Sequence, residues 1–149
     1  SFSPAFSPRA KLVRAELNGK AIAFHLSPGD TDQHADIKFQ LPAGSSVLKL
    51  SLRNDFSIGV ASELPPLGSE SRGMRVLSES WTADGLEVAI SGAAGATYEM
   101  PVWNPRQIAT LEGAELVRKD AEFGALRITI PAGRAEPYPH ERIMIRFVK

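Results

Sequence analysis

The sequence predicts an all-β fold, an antiparallel β-sandwich of about nine or ten strands with at most one short helical turn. Many short segments alternate apolar and polar residues with a period of two, the pattern of half-buried strands. Turn residues separate these segments at spacings of roughly 8 to 14 residues, and no long amphipathic helix pattern interrupts them. Such alternation gives each sheet one apolar and one polar face, which antiparallel layers have and buried parallel sheets lack.

Four alternating segments lie in the first half of the chain: residues 11–18, 21–26, 36–41 and 46–53. The first two are joined by Asn18-Gly19, which suits a two-residue type I′ turn, so they are expected to pair as a hairpin. The side chains expected to point inward are Val13, Ala15, Leu17, Ile22, Phe24, Leu26, Ile37, Phe39, Leu41, Leu48, Leu50 and Leu52.

The second half alternates in residues 74–82, 86–91, 97–103, 125–130 and 141–148. Between them, Asn104 is a candidate N-cap, Pro105 suits the first helical position and Gln107 the capping-box position. A short helical turn is therefore expected before Ile108, and Gly113 stops it within two turns. Residues 114–119 are interpreted as another short strand.

The chain is expected to form one domain, with residues 1–10 as a linker-like extension and residues 11–149 as a single β-sandwich. The first ten residues contain a small repeat, Phe-Ser-Pro at 2–4 and again at 6–8, and proline favours extended backbone. The alternative is two small β-sandwiches divided at 62–73, a stretch rich in proline and glycine. One sandwich is favoured because the strands of the first half would bury little by themselves.

Composition excludes several classes of function. The 149 residues include 17 Lys+Arg and 17 Asp+Glu, so no basic field is available to hold nucleic acid. No apolar run approaches the roughly 20 residues of a membrane-spanning helix. There are no cysteines, which removes disulfides, zinc thiolates and cysteine nucleophiles.

The motifs of common hydrolytic sites match poorly, so the sequence favours a non-enzymatic role. Residues 68–73 resemble a nucleophile elbow around Ser71, but Ser69 stands where that motif requires glycine. Paired acids for glycoside hydrolysis need a fixed separation that the sequence does not supply. The acids considered for that role are Glu63, Glu70, Glu79 and Glu99. The three histidines, His25, His34 and His140, are scattered, and each is interpreted as a solvated surface residue.

An acidic loop is the candidate metal site. Asp30, Asp32 and Asp36 follow Gly29, and calcium prefers several oxygen ligands from one flexible loop. The spacing lacks the terminal glutamate of the twelve-residue calcium loop. An ordinary solvated turn is therefore favoured, no cofactor is expected, and calcium is the alternative.

Three aromatic residues are the candidate ligand-binding residues. Trp81 and Trp103 lie at strand ends next to polar residues, which would place each indole on the solvent-exposed face of a sheet. Tyr138 lies between two prolines in a loop. An exposed flat ring with polar neighbours can stack on a pyranose, and the competing interpretation is a ring packed under a loop.

Four segments together carry a resemblance to a known class of module: Leu17 to Lys20, Leu52 to Phe56, Tyr98 to Pro105, and Ile143 to Phe147. In its pattern of strands and turns, over most of its length, the chain resembles the C-terminal, immunoglobulin-like β-sandwich modules of large secreted bacterial glycoside hydrolases and related carbohydrate-active proteins. The resemblance implies an accessory domain that packs on a catalytic or structural domain of a parent protein and has no catalytic residues of its own.

The leading hypothesis is accordingly a non-catalytic interaction or accessory module of a larger bacterial extracytoplasmic protein, periplasmic or secreted, with glycan as a candidate ligand. One alternative is a protein–protein adhesion or structural module without a small-molecule site. The other is a small hydrolase, which would need a deep pocket with converging acids and a histidine.

Overall fold

The computed structural model describes residues 1–29, 31–59, 66–69, 72–133 and 135–148. These residues form fourteen strands, all paired antiparallel, and a single 3-10 turn, so the predicted all-β class is confirmed. The chain divides into two compact units, Ser1–Phe56 and Ser57–Lys149, which we call unit 1 and unit 2. Part of the stretch considered as a boundary, 62–73, lies outside the described residues. No helix in the described part of the chain is long and apolar enough to cross a membrane.

The strands of unit 1 are β1 (Ala5–Phe6), β2 (Lys11–Leu17), β3 (Lys20–Ile22), β4 (Phe24–Pro28), β5 (Gln33–Ile37) and β6 (Leu48–Arg53). They form two three-stranded sheets with strand orders β1-β5-β4 and β3-β2-β6. The hairpin predicted at Asn18-Gly19 is confirmed, because both residues have the positive φ, 50° and 79°, that its tight turn requires. Strand β1 lies within the segment expected to be linker-like and pairs with β5.

The core of unit 1 is formed by Leu12, Ala15, Ala35 and Ile37, with partly buried leucine, isoleucine and phenylalanine side chains around them. The expectation that Val13 points inward is wrong: Leu12 is buried and Val13 is 49% exposed. The cause is a break in register between β2 and β6, where Leu12 faces Leu52 and Arg14 faces Ser51. Val13 is the extra residue of this bulge and turns outward.

Two further expectations for unit 1 change in detail. The segment predicted as one strand over residues 21–26 is divided at Ala23, so that β3 and β4 belong to different sheets. Strand β5 starts earlier than predicted and ends at Ile37. Leu41 therefore lies beyond the strand and is 69% exposed, so its inward assignment is wrong.

The strands of unit 2 are β7 (Ser57–Ile58), β8 (Arg75–Trp81), β9 (Gly85–Ser91), β10 (Thr97–Trp103), β11 (Ile108–Glu112), β12 (Glu115–Arg118), β13 (Phe123–Thr129) and β14 (His140–Phe147). They form two four-stranded sheets with strand orders β12-β13-β10-β7 and β11-β14-β9-β8. The predicted alternation holds here: the buried side chains include Leu86, Val88, Ile90, Leu126, Ile128, Ile130, Ile143, Ile145 and Phe147.

The predicted helical turn is confirmed as a 3-10 turn at Pro105–Gln107, with proline at its start. Asn104 occupies the N-cap position, as predicted, but it has a φ of 54° and its side chain makes no capping hydrogen bond. Residues after the turn form β11, which the sequence had not indicated as a strand. Strand β12 at Glu115–Arg118 confirms the short strand predicted over 114–119.

Candidate functional site

One concave surface of unit 2 lies on the sheet that contains β8, β9 and β14. It is a groove of about 550 Å³ lined by Leu77, Ala89, His140, Glu141 and Arg142, and we call it the His140 groove. Strand register explains its floor, since Ala89 lies opposite Arg142 on one side and Ser78 on the other. A methyl group between longer side chains leaves a depression in the sheet surface.

A β-bulge supplies the apolar wall of the His140 groove. In the β8–β9 pair, Val76 faces Ile90 and Ser78 faces Ala89, so Leu77 is an extra residue. Leu77 is 48% exposed and lines the groove. Bulges re-aim side chains in this way and are over-represented next to active sites. The bulge therefore places Leu77 and Ser78 next to each other on the exposed face of β8.

The polar wall of the groove contains charges of both signs. The Arg142 guanidinium lies 3.2 Å from the Glu87 carboxylate on the neighbouring strand. His140, which is exposed, begins β14 and pairs with Ser91, the last residue of β9. The groove thus offers hydrogen-bond donors and acceptors beside an apolar contact, which is typical of small-molecule sites.

The loop that carries Tyr138 is held by hydrogen bonds to the end of β9 and to the turn that follows it. Ser91 Oγ donates to the Tyr138 carbonyl at 3.1 Å, and the amide of Ala94 donates to the Pro137 carbonyl at 3.0 Å. The Tyr138 side chain is 42% exposed. A second cavity, of about 360 Å³, is lined by Ala135, Glu136, Pro139 and His140. This cavity shares His140 with the groove. Tyr138 lies in the sequence between Glu136 and Pro139, two of the residues that line the second cavity.

The two tryptophan candidates are half-buried and packed against phenylalanine. Trp81 stacks on Phe147 with ring centroids 6.2 Å apart, and Trp103 meets Phe123 edge-on at 4.4 Å. Trp81 faces Leu86 near the start of β9, whereas the Tyr138 loop is bonded to Ser91 at its end, about 17 Å along the strand. Trp103 belongs to the other sheet of unit 2. The three candidates therefore do not form one aromatic platform.

The acidic candidates of unit 1 lie in hydrogen-bonded surroundings. Ser3 Oγ and Ser27 Oγ donate to the two Asp36 carboxylate oxygens at 2.7 and 2.9 Å, and Asp32 lies 3.3 Å from His34 Nε2. The Ser3 hydrogen bond, then that of Ser27, holds the pKa of Asp36 below its ordinary value. Asp30 lies outside the described residues. Within the described residues, no group of three histidine or acidic side chains could hold a metal ion.

The remaining catalytic candidates do not converge where the structure describes them. Glu99 lies 3.4 Å from Arg127, an ordinary exposed ion pair, and Glu79 is exposed on β8. Ser69 donates to the Pro66 carbonyl within its own turn. The candidates Glu63, Glu70 and Ser71 lie outside the described residues.

Comparison with protein-family models, with curated proteins and with solved structures gives no match. Function is therefore inferred from local geometry. Sequence reasoning had missed the His140 groove, and the signal that could have found it is the apolar pair Val76-Leu77. Because a bulge inserts one extra residue into a strand, two adjacent apolar residues in an otherwise alternating strand can indicate one.

Proposed function

We propose that this chain is a non-catalytic, immunoglobulin-like β-sandwich module of a larger bacterial extracytoplasmic protein, where it accompanies a catalytic or structural domain and contacts carbohydrate. The observation that carries the proposal is Tyr138, a 42% exposed aromatic ring on a loop held to β9 by hydrogen bonds. Because the backbone of this loop is already held in place, little conformational freedom of the loop is lost when the ring stacks on a sugar.

The hydroxyl groups of unit 1 support a non-catalytic role. Ser3 and Ser27 both donate to the Asp36 carboxylate. A serine nucleophile needs a base strong enough to take its proton, whereas these hydrogen bonds lower the pKa of Asp36 and make its carboxylate a weaker base. The polar face of this sheet therefore stabilises an aspartate and does not activate a nucleophile.

A glycan-binding assay with two matched variants tests the proposal. The native chain is titrated with a broad panel of oligosaccharides while its tryptophan fluorescence and heat of binding are followed. Tyr138→Ala is expected to weaken binding at least about tenfold, and Tyr138→Phe, which keeps the ring, to change it little. Phe2→Ala removes a similarly exposed ring from unit 1 and is expected to have no effect. A native chain that binds no member of the panel would remove carbohydrate from the proposal.

One observation favours the alternative, a protein–protein module. Unit 1 has a groove of about 570 Å³ whose apolar lining includes Phe2, Phe39, Leu41 and Leu48. Leu41 is mostly exposed, and exposed apolar patches often mark interaction sites. The alternative predicts concentration-dependent association in analytical ultracentrifugation that Leu41→Ser reduces, together with glycan titrations that remain flat.

A further inference from the structure

We infer that the His140 groove is the carbohydrate-binding site and that it takes a neutral pyranose, terminal or within a short oligosaccharide. The C–H face of one sugar ring lies on Leu77, and its hydroxyl groups are held by Arg142 and His140. Tyr138, two residues before His140 in the sequence, stacks on an adjoining part of the same glycan. This inference rests on the proposed function and deepens it, because the aromatic residues alone do not indicate which surface receives the ligand. The volume of about 550 Å³ is within the ordinary range of ligand pockets.

Leu77 supplies the apolar contact because of its place in a bulge. Val76 faces the buried Ile90, so Leu77 lies on the outer face of β8, and the register break against β9 keeps Ser78 on that face beside it. It stands beside Ala89, whose small side chain leaves room for a ring to lie flat against the sheet. The axial and ring C–H groups of a pyranose form an apolar surface that fits such a wall.

Arg142 and His140 supply directional contacts. One guanidinium nitrogen of Arg142 lies near Glu87, and a guanidinium has five N–H donors, so others can reach vicinal sugar hydroxyls. A neutral imidazole has one donor and one acceptor nitrogen, which matches a hydroxyl that both donates and accepts. The two side chains are two residues apart on β14 and line the same groove.

The charges around the groove indicate a neutral sugar. The Arg142 guanidinium is accompanied by the carboxylates of Glu141 in the groove and of Glu87 on the neighbouring strand. A sulfated or uronic sugar would meet these carboxylates as well as the guanidinium, so its charge would gain little. Neutral hydroxyl groups, in contrast, can bond to both kinds of group.

The tryptophan surfaces are weaker candidates for the same ligand. One face of Trp81 is stacked on Phe147, and Trp103 is packed against Phe123. A sugar that used either indole would have to share the ring with these phenylalanines. The His140 groove needs no rearrangement of the rings.

The test compares groove variants with controls matched in local structure. Leu77→Ser and Arg142→Ala are each expected to weaken binding of the best neutral oligosaccharide at least about tenfold in titration calorimetry. Val13→Ser is the control for Leu77, because Val13 is also turned out by a bulge and is 49% exposed against 48%. Arg127→Ala is the control for Arg142, because Arg127 forms a similar exposed ion pair on the other sheet. Both controls are expected to change the affinity less than about twofold.

A measurement on the native chain keeps the test decisive if a groove variant fails to fold. Amide NMR signals of Ala89, His140 and Arg142 are expected to shift on addition of the sugar, more than those around Trp81 or Trp103. If sugar binds but the groove variants and these signals are unaffected, the site lies elsewhere and this inference is overturned while the proposed function stands. If the native chain binds no neutral glycan, both are overturned.

Discussion

Replacing Gly113 with alanine tests how closely β14 and the β11–β12 turn approach each other. Gly113 has a φ of 80°, and a Cβ built on it would lie 2.1 Å from the Arg142 carbonyl oxygen. Real Cβ atoms essentially never approach within 3.0 Å, so the backbone of β14 or of the turn would have to move by nearly 1 Å. The same movement would displace Arg142, which lines the His140 groove.

Two costs add at this position. A non-glycine residue in the left-handed region costs about 1–2 kcal/mol, and forcing a methyl group into packed structure costs about 1–3 kcal/mol more. Gly133→Ala is the matched control, because Gly133 has a φ of 77° and nothing within 4 Å of its built Cβ. The free energy of unfolding is therefore expected to fall by about 2–5 kcal/mol for Gly113→Ala and by about 1–2 kcal/mol for Gly133→Ala.

Urea unfolding followed by tryptophan fluorescence measures the difference. Both tryptophans, Trp81 and Trp103, belong to unit 2, which also contains both glycines. With an m-value of about 2 kcal/mol/M, the midpoint falls by about 1–2.5 M for Gly113→Ala and by about 0.5–1 M for the control. Equal midpoints for the two variants would show that the close approach to Arg142 does not exist in solution, and would refute the reasoning.

Three further predictions concern the described contacts of both units. Hydrogen bonds from two serines lower the pKa of Asp36 in the folded chain below its ordinary value of 3.8, so the ionised carboxylate stabilises unit 1 above the pKa that Asp36 has in the unfolded chain, and this stability is lost as pH falls through the pKa in the folded chain. In urea titrations followed by NMR, Asp36→Asn should remove this loss of stability at acid pH. Leu12→Ala should destabilise unit 1 by about 2–5 kcal/mol and Val13→Ala by less than about 0.5 kcal/mol in the same experiment, and the reverse order would contradict the bulge. The hydroxyl of Tyr98 donates to the Arg72 carbonyl at 2.7 Å and accepts from the Ala93 amide at 2.8 Å, so Tyr98→Phe should lower the free energy of unfolding of unit 2 by about 1–3 kcal/mol. Urea unfolding followed by tryptophan fluorescence measures this loss, and an unchanged unfolding midpoint would argue against these bonds.

Alternation along the chain determined most of the strands. Residues 97–103 were predicted as a strand with the bounds that the structure has, and the Asn18-Gly19 hairpin is also confirmed. These features are local: side-chain direction alternates within one strand, and a type I′ turn depends on the φ values of two adjacent residues.

The bulges at Val13 and Leu77 show where this local prediction ends. Leu12-Val13 and Val76-Leu77 are adjacent apolar pairs, and in each pair the second residue is the one turned outward. The sequence marks the pair but does not say which member is buried, because that depends on the register of the strand across from it. The outward position of Leu77, on which the His140 groove depends, was therefore decided by pairing with β9.

The sequence by itself determined that the chain is all-β, that its strands are short and antiparallel, and which residues break them. Tertiary structure alone decided that residues 21–26 divide between two sheets, that Leu41 lies outside the strand, and that Ala89 stands between Leu77 and Arg142. The physical reason is the distance along the chain over which each kind of interaction acts. Backbone preference and alternation act between neighbours in sequence, whereas a groove on a sheet needs three strands whose alignment is set by long-range hydrogen bonding and packing.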